Sequence, residues 1–339
     1  MAINPFTSFV FDLFILSAII ITAYTVNFYY LAFLSRTRKE SYPTVDWGTP
    51  TITIQLPIYN EKYVAQRLVD AVCHMDYPKD KMKIMVCGKG GSGKSTISAL
   101  LAKSMANSGY KVLVIDSDES NYGLHRQLGL KLPEDFMNYF GGKKAMIERM
   151  LASFKTGEGA AVNIFDKKWT FADIPKEYTS EKNGLTLLAI GKIHECSEGC
   201  ACPMGILSRG MLENLVLTEK ELVIVDTDAG IEHFGRGVEQ GCDIILAVID
   251  PSFESLMLSN KIYLLGNSIN KPVYFVLNKV DDESKQVMLA AVDSENKIAG
   301  IIPANNDVFR ACLAGEALDL QLAEIDELAM FIRAGKTGK

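Results

Sequence analysis

One eight-residue segment constrains this chain more than any other: GKGGSGKS, Gly88 to Ser95, stands between the short apolar run Lys83–Cys87 and a stretch of helical character from Thr96 to Asn107. Gly88, Gly90, Gly91 and Gly93 let the main chain turn its amides inward, and the helix that follows points its positive end at the same spot. Ser92 lies inside that turn, Lys94 adds a cation, and the Ser95 hydroxyl is a ligand for Mg²⁺ beside Thr96. Such a loop cradles the phosphates of ATP or GTP. It requires a strand before it and a helix after it, and both patterns are present.

The rest of the chain from residue 82 repeats that alternation. KVLVIDSD ends in Asp116 and Asp118, LTLLAIG ends at Gly191, ELVIVDTDAG ends in Asp226, Asp228 and Gly230, VYFVLNKV ends in Asn278 and Lys279, and IAGIIP ends at Pro303. Apolar runs of this length separated by helical stretches predict an α/β fold, a doubly wound and mostly parallel sheet. In such sheets the ligand lies beyond the carboxyl ends of the strands, which is where the two aspartate pairs fall.

Lys89, directly after the first glycine, distinguishes this loop from the ordinary P-loop. With it the sequence resembles the MinD/ParA/nitrogenase-iron-protein class, P-loop NTPases of the deviant Walker A type. The resemblance implies an ATP-hydrolysing homodimer in which Lys89 reaches the nucleotide of the partner subunit. It also implies that Lys94 binds phosphate, that Asp116 holds a Mg²⁺-bound water, that Asp118 orients the attacking water, and that Asp226 is the Walker-B carboxylate. Gly230 would sense the γ-phosphate and Asn278 would recognise adenine, with the loop around Pro303 and Asn305 closing over the ring.

After the strand LTLLAIG comes KIHECSEGCACPMG, so Cys200 and Cys202 are expected on a loop at the active edge, with ILSRGMLENLVL as the next helix. Two thiolates do not close a tetrahedral site, but two subunits facing across a two-fold axis supply four. Thiolates favour Zn²⁺, Cu⁺ or square-planar Ni²⁺, with His194 and Cys196 as auxiliary candidates. Cys87, Cys242 and Cys312 fall in apolar elements and read as core thiols. Taken together, GKGGSGKST, DSD, Cys-Ala-Cys-Pro and DTDAGIEHFGRG resemble the CooC family, the accessory ATPases that insert nickel into carbon monoxide dehydrogenase. That implies a metallochaperone whose client is a metalloenzyme of the carbon monoxide dehydrogenase type. Glu119 departs from that pattern, since many relatives have proline there. The rival readings are a MinD/ParA-like partitioning ATPase, an electron carrier like the nitrogenase iron protein, and a remnant membrane glycosyltransferase.

The last of these rests on the N-terminal piece. Leu13–Leu34 carries no charge, and 22 helical residues extend about 33 Å, the thickness of a bilayer's apolar core. Arg36, Arg38 and Lys39 follow it, which predicts one transmembrane helix with everything after residue 35 on the cytoplasmic side. Pro50–Lys81 resembles the opening βα unit of membrane-bound family-2 glycosyltransferases, whose later Q-x-x-R-W motif this chain lacks. The expected organisation is therefore a membrane anchor (1–40), a truncated glycosyltransferase-like fragment (41–81) and a P-loop ATPase domain (82–339). Residues 1–81 hold equal numbers of acidic and basic side chains, so the whole net charge of -6 falls on the ATPase part. No basic excess remains to neutralise a nucleic-acid backbone, and no nucleic-acid partner is expected. Seven unevenly spaced cysteines do not make a secreted disulfide framework, which fits a cytoplasmic ATPase domain.

Overall fold

The computed structural model describes a set of positions between Ile15 and Tyr30 and then residues 81–155, 164–194, 202–292 and 297–334. The chain divides into two compact units, Met1–Asp70 and Ala71–Lys339.

In the first unit the described positions are helical, and Thr22 and Thr25 donate their hydroxyls to the carbonyls of Ala18 and Ile21, each at 2.8 Å. Such back-bonding satisfies hydroxyls on a helix without help from solvent. Among the described residues, however, no helix is long and apolar enough to cross a membrane. The expected span, Leu13–Leu34, lies partly outside the described residues, and the glycosyltransferase-like fragment lies outside them except for Lys81.

The second unit is built on an eight-stranded sheet. In chain order the strands are β1 (Met82–Gly88), β2 (Lys111–Asp116), β3 (Thr179–Lys182), β4 (Leu185–Ala189), β5 (Glu221–Asp226), β6 (Ile244–Ile249), β7 (Val273–Val280) and β8 (Ile298–Pro303). Their spatial order is β3-β4-β2-β5-β1-β6-β7-β8, parallel throughout except for β3, which runs antiparallel to β4. That polar edge strand, TSEK, has no apolar alternation to announce it. The nine helices described in this unit are α1 (Lys94–Asn107), α2 (Leu124–Leu128), α3 (Gly142–Lys155), α4 (Cys202–Asn214), α5 (Glu232–Arg236), α6 (Phe253–Ser268), α7 (Asp282–Ala291), α8 (Asn306–Ala314) and α9 (Ala323–Ala334).

Each central strand divides its side chains between two cores, as the two-residue period of a strand demands. Met85, Cys87, Leu113, Ile115, Val223 and Val225 pack on one face with Leu207 and Met211 of α4 and Ile262 of α6. Ile84, Val86, Val112, Val114, Leu222 and Ile224 pack on the other face with Ile97, Leu101 and Met105 of α1 and Ile325, Leu328 and Ile332 of α9. Both faces are covered, which is why the strands read as unbroken apolar runs. The register of the sheet also decides the site. Asp116 pairs with Asp226 across β2 and β5, and Val86 of β1 pairs with Asp226.

Candidate functional site

The P-loop leaves the centre of the sheet at β1 and runs into α1. Gly93 adopts φ 101° as the residue before α1, and a Cβ there would overlap the amide of Asn278. Only glycine fits. Asn278 donates its amide to the Ser92 carbonyl at 2.8 Å, and the next residue, Lys279, extends its ammonium to the Gly91 carbonyl at 2.7 Å. The end of β7 thus grips the loop from outside, and one amide hydrogen of Asn278 is committed to that grip. Lys94 is buried and its ammonium lies 3.4 Å from the Lys89 carbonyl. Ser92 Oγ is buried and makes no hydrogen bond among the described residues, an orphan hydroxyl inside the cradle.

Lys89 does not extend away from the chain. Its ammonium lies 3.2 Å from Ser252 Oγ and 3.7 Å from the Asp250 carboxylate at the end of β6. Burial would raise the Asp250 pKa, but bonds from Ser255 and Ser252 and the charge of Lys89 hold it below the ordinary value.

Asp226 is fully buried, accepting hydrogen bonds from Ser95 Oγ at 2.6 Å and Ser98 Oγ at 2.9 Å. Burial pushes its pKa up to about 6, against the pull of Ser95, Lys94 and Ser98. Asn121 in turn donates to Ser95 Oγ at 2.7 Å. A serine hydroxyl beside the Asp226 carboxylate is a pair of hard oxygen donors, which fits Mg²⁺.

Asp116 is equally buried but differently partnered: Lys192 Nζ lies 2.7 Å from its Oδ2. Lys192 is itself buried and gives two further bonds of 2.6 Å to the carbonyls of Asp118 and Asn121. Burial pushes the Asp116 pKa up to about 7 in spite of that ammonium. Asp118 accepts from both the amide and the hydroxyl of Ser120, at 3.0 and 2.7 Å. On the other flank, Gly230 donates its amide to the Gly88 carbonyl at 3.1 Å, with φ 96° and the Glu232 carboxylate filling the place of a side chain. Asp228 holds Arg236 at 3.1 Å and stands 3.6 Å from the buried His233. Burial would raise the Asp228 pKa, but the His233 imidazole beside it and the charges of Arg236 and Lys94 bring it below the ordinary value.

Between the P-loop and the β8–α8 turn opens a cavity of about 810 Å³, bordered by Lys94, Thr96, Asp118, Asn278, Pro303 and Phe309 among others. Its size suits a nucleotide. The loop glycines Gly90, Gly91 and Gly93, Ser95, and the turn residue Asn305 also face it.

Most residues selected from sequence therefore converge on one edge. Two features differ from expectation, at Cys202 and at Cys312. Cys202 is not on a loop but is the first residue of α4, where Pro203 with its fixed φ suits the first helical turn. It is half-buried and disulfide-bonded in this structure. Cys200 and Cys196 lie outside the described residues, and no cluster of three metal-ligating side chains occurs among those described. Cys312 is not a core thiol: it is half-buried on α8, borders the cavity, and has its Sγ 3.8 Å from Thr96 Oγ1. Lys192, Asn121 and Ser98 escaped the sequence reading, which gives Lys279 only as the end of its strand, not as a grip on the loop. For Lys192 the available signal was a lone charge directly after an apolar strand.

Residues 83–318 match the CbiA family model, the CobQ/CobB/MinD/ParA nucleotide binding domain. The chain is 51% identical over 247 residues to an uncharacterized ATP-binding protein of Methanocaldococcus jannaschii, a match that covers 73% of this chain and 98% of that one. It is 32% identical over 241 residues to the carbon monoxide dehydrogenase accessory protein CooC of Rhodospirillum rubrum, covering 69% and 88% respectively. Among solved structures, MinD of Pyrococcus horikoshii complexed with Mg-ADP superposes with a TM-score of 0.51 at 15% identity, over 76% of this chain and 96% of that one, a likeness of fold. With the P-loop, the strand-end aspartates and the nucleotide-sized cavity on one sheet edge, the chain belongs to the CobQ/CobB/MinD/ParA family of P-loop nucleotide-binding ATPases.

Proposed function

We propose that the chain is an ATP-hydrolysing homodimeric metallochaperone that assists insertion of nickel into a metalloenzyme of the carbon monoxide dehydrogenase type. The observation that carries this reading is the pairing of a two-lysine P-loop with a Cys-Ala-Cys motif whose second cysteine begins α4, the helix after β4. The 32% identity to CooC supports the same client class.

In this reading ATP lies in the cavity with its phosphates on Gly88–Thr96. Ser95 would hold Mg²⁺, with Asp116 and Asp226 close by, and the ion would supply charge to offset the phosphates. Asp118 orients a water that attacks the γ-phosphorus. The bond to the bridging oxygen breaks, and ADP and phosphate leave. Lys89 exchanges Asp250 for the partner subunit's phosphates when two copies meet, so dimerisation and ATP binding favour each other. Asn278 and Pro303 flank the adenine. Nickel or zinc, as cargo, is taken by Cys200 and Cys202 of both subunits. A thiolate is the ligand, so Cys202 must first be reduced. Residues 1–40 anchor the ATPase to a membrane if Leu13–Leu34 crosses one, residues 41–81 take no part in the chemistry, and residues 82–339 work on the cytoplasmic side.

Metal analysis of the reduced full chain, with and without ATP, tests this. One nickel or zinc ion per dimer is expected, with binding lost in Cys200→Ser combined with Cys202→Ser and with ATPase activity retained. Full retention of metal in that double variant would overturn the metallochaperone reading. Lys89→Ala should bind ATP yet neither dimerise nor hydrolyse it; an ATP-induced, active dimer of that variant would remove the homodimer from the proposal.

A further inference from the structure

Among the described residues, four that are not glycine adopt a left-handed backbone: Asn183, Lys220, Asn270 and Lys279. The first three stand in turns, whereas Lys279, with φ 59°, lies inside β7. It is the extra residue of a bulge, because Asn278 is opposite Ile302 and Val280 is opposite Pro303 on β8. Its two neighbours are buried, but Lys279 is exposed and borders the nucleotide cavity. A left-handed backbone is strained for any residue with a Cβ, and such strain persists only where the surroundings hold it.

What holds Lys279 is the P-loop. Its ammonium donates to the Gly91 carbonyl at 2.7 Å while the Asn278 amide donates to the Ser92 carbonyl at 2.8 Å, so two consecutive residues of β7 hold two consecutive carbonyls of the loop. Those carbonyls need holding, because a run rich in glycine can turn its peptides either way. Gly93 is fixed by its packing on Asn278, but at Gly91, with φ 81°, an added Cβ would meet nothing within 4 Å. No packing fixes the peptide there. The same peptide carries the Ser92 amide, which donates to the Lys89 carbonyl at 3.1 Å, and that carbonyl also faces the Lys94 ammonium at 3.4 Å. A cation on the Gly91 oxygen polarises the peptide and strengthens the bond from its amide. Were the peptide to turn over, its oxygen would face the cradle and repel the phosphate oxygens that belong there.

We propose that Lys279 is a positioning residue for nucleotide binding: the strained backbone at the β7 bulge aims its ammonium at Gly91 and locks the turn Lys89–Ser92 in the phosphate-accepting form before the ligand arrives. A loop already in that form has less order to acquire on binding. The inference rests on the nucleotide reading of the site and concerns its phosphate end alone. Its mark is an opposition between stability and affinity, since glycine at this position relieves the backbone and releases the loop.

The test is titration of the full chain with a fluorescent, non-hydrolysable ATP analogue and Mg²⁺, with inorganic triphosphate as competitor and urea denaturation of each variant without nucleotide. Lys279→Met keeps the stem and the strain but removes the ammonium, and should weaken both the analogue and the inorganic triphosphate by about tenfold. Lys279→Arg, which keeps the charge and the donors, should recover most of that loss. Lys279→Gly should bind as weakly as Lys279→Met while its urea midpoint is no lower than that of the wild type. Affinity within about twofold of the wild type in Lys279→Met would overturn the proposal. So would a loss confined to the analogue and absent for inorganic triphosphate, since the stem or ammonium would then act on the nucleoside. A Lys279→Gly chain that loses stability and affinity together would reduce Lys279 to a structural part of β7 and overturn its positioning role. If Lys279→Met does not fold, Lys279→Gly decides by the same two measurements. A wild type that binds neither probe would overturn the nucleotide reading itself, and the proposal with it.

Discussion

Asp116 and Asp226 stand opposite each other at the ends of neighbouring strands, both out of contact with water, and are neutralised by different means. Asp226 faces two serine hydroxyls from α1, neutral donors that a cation can displace. Asp116 faces the ammonium of Lys192, a fixed counter-charge that also ties down two carbonyls. Glu239 makes a third case, 2% exposed with Oε2 unpartnered among the described residues, and burial pushes its pKa up to about 7. The difference separates a carboxylate poised to receive a ligand from one that holds a framework, and both from one that is merely enclosed.

Breaking the framework should cost most. Lys192→Met removes one member of a buried ion pair and is expected to destabilise the chain by about 3–5 kcal/mol in urea denaturation. Adding Asp116→Asn should recover part of that loss, because the orphaned charge is gone; strictly additive losses would show that the two side chains do not act as a pair.

On the ligand side, Lys94→Ala should weaken ATP binding by about a hundredfold or more, read by titration with a fluorescent nucleotide. Its effect on urea stability without nucleotide should be small by comparison. Equal affinities for wild type and variant would take Lys94 out of the site.

The enclosed acid sharpens the comparison through pH. The folded pKa of Glu239, about 7, lies above the ordinary 4.5, so the folded state holds a proton that the unfolded chain has released. The contribution of Glu239 to stability is greatest below about pH 4.5 and is lost as pH rises from there through 7, a loss that a neutral replacement does not suffer. Glu239→Gln should therefore gain about 2 kcal/mol at pH 8 and almost nothing at pH 4. A gain that is the same at both pH values would assign it to packing.

The smallest effect should come from Ser98→Ala, which removes one of two hydroxyls from Asp226 and is expected to cost about 1 kcal/mol. A loss as large as that of Lys192→Met would erase the distinction between the two carboxylates.

How much of this was legible in the sequence follows the same division. The cradle could be read because its donors are consecutive: the amides of Gly88–Ser95 converge by local turning, and the strand before and helix after announce themselves by period. Asp116 and Asp226 could be read because apolar runs end at them. The site beyond the loop was less visible. Cys202 reads as loop because its neighbours carry no helical period, whereas the structure begins a helix there on Pro203. Cys312 sits among apolar residues yet borders the cavity, since α8 is a surface helix with no fully buried residue.

The sequence by itself determined the phosphate cradle, the parallel alternation and the placing of carboxylates at strand ends, because each depends on residues within a few positions of one another. Only the tertiary structure decided which of those carboxylates meets an ammonium and which meets hydroxyls. Lys192 lies 76 residues from Asp116, and Ser98 lies 128 residues from Asp226. The strand order β4-β2-β5-β1 closes those distances. Charge compensation in a buried site depends on separation in space, and no local pattern encodes which distant strand will become the neighbour.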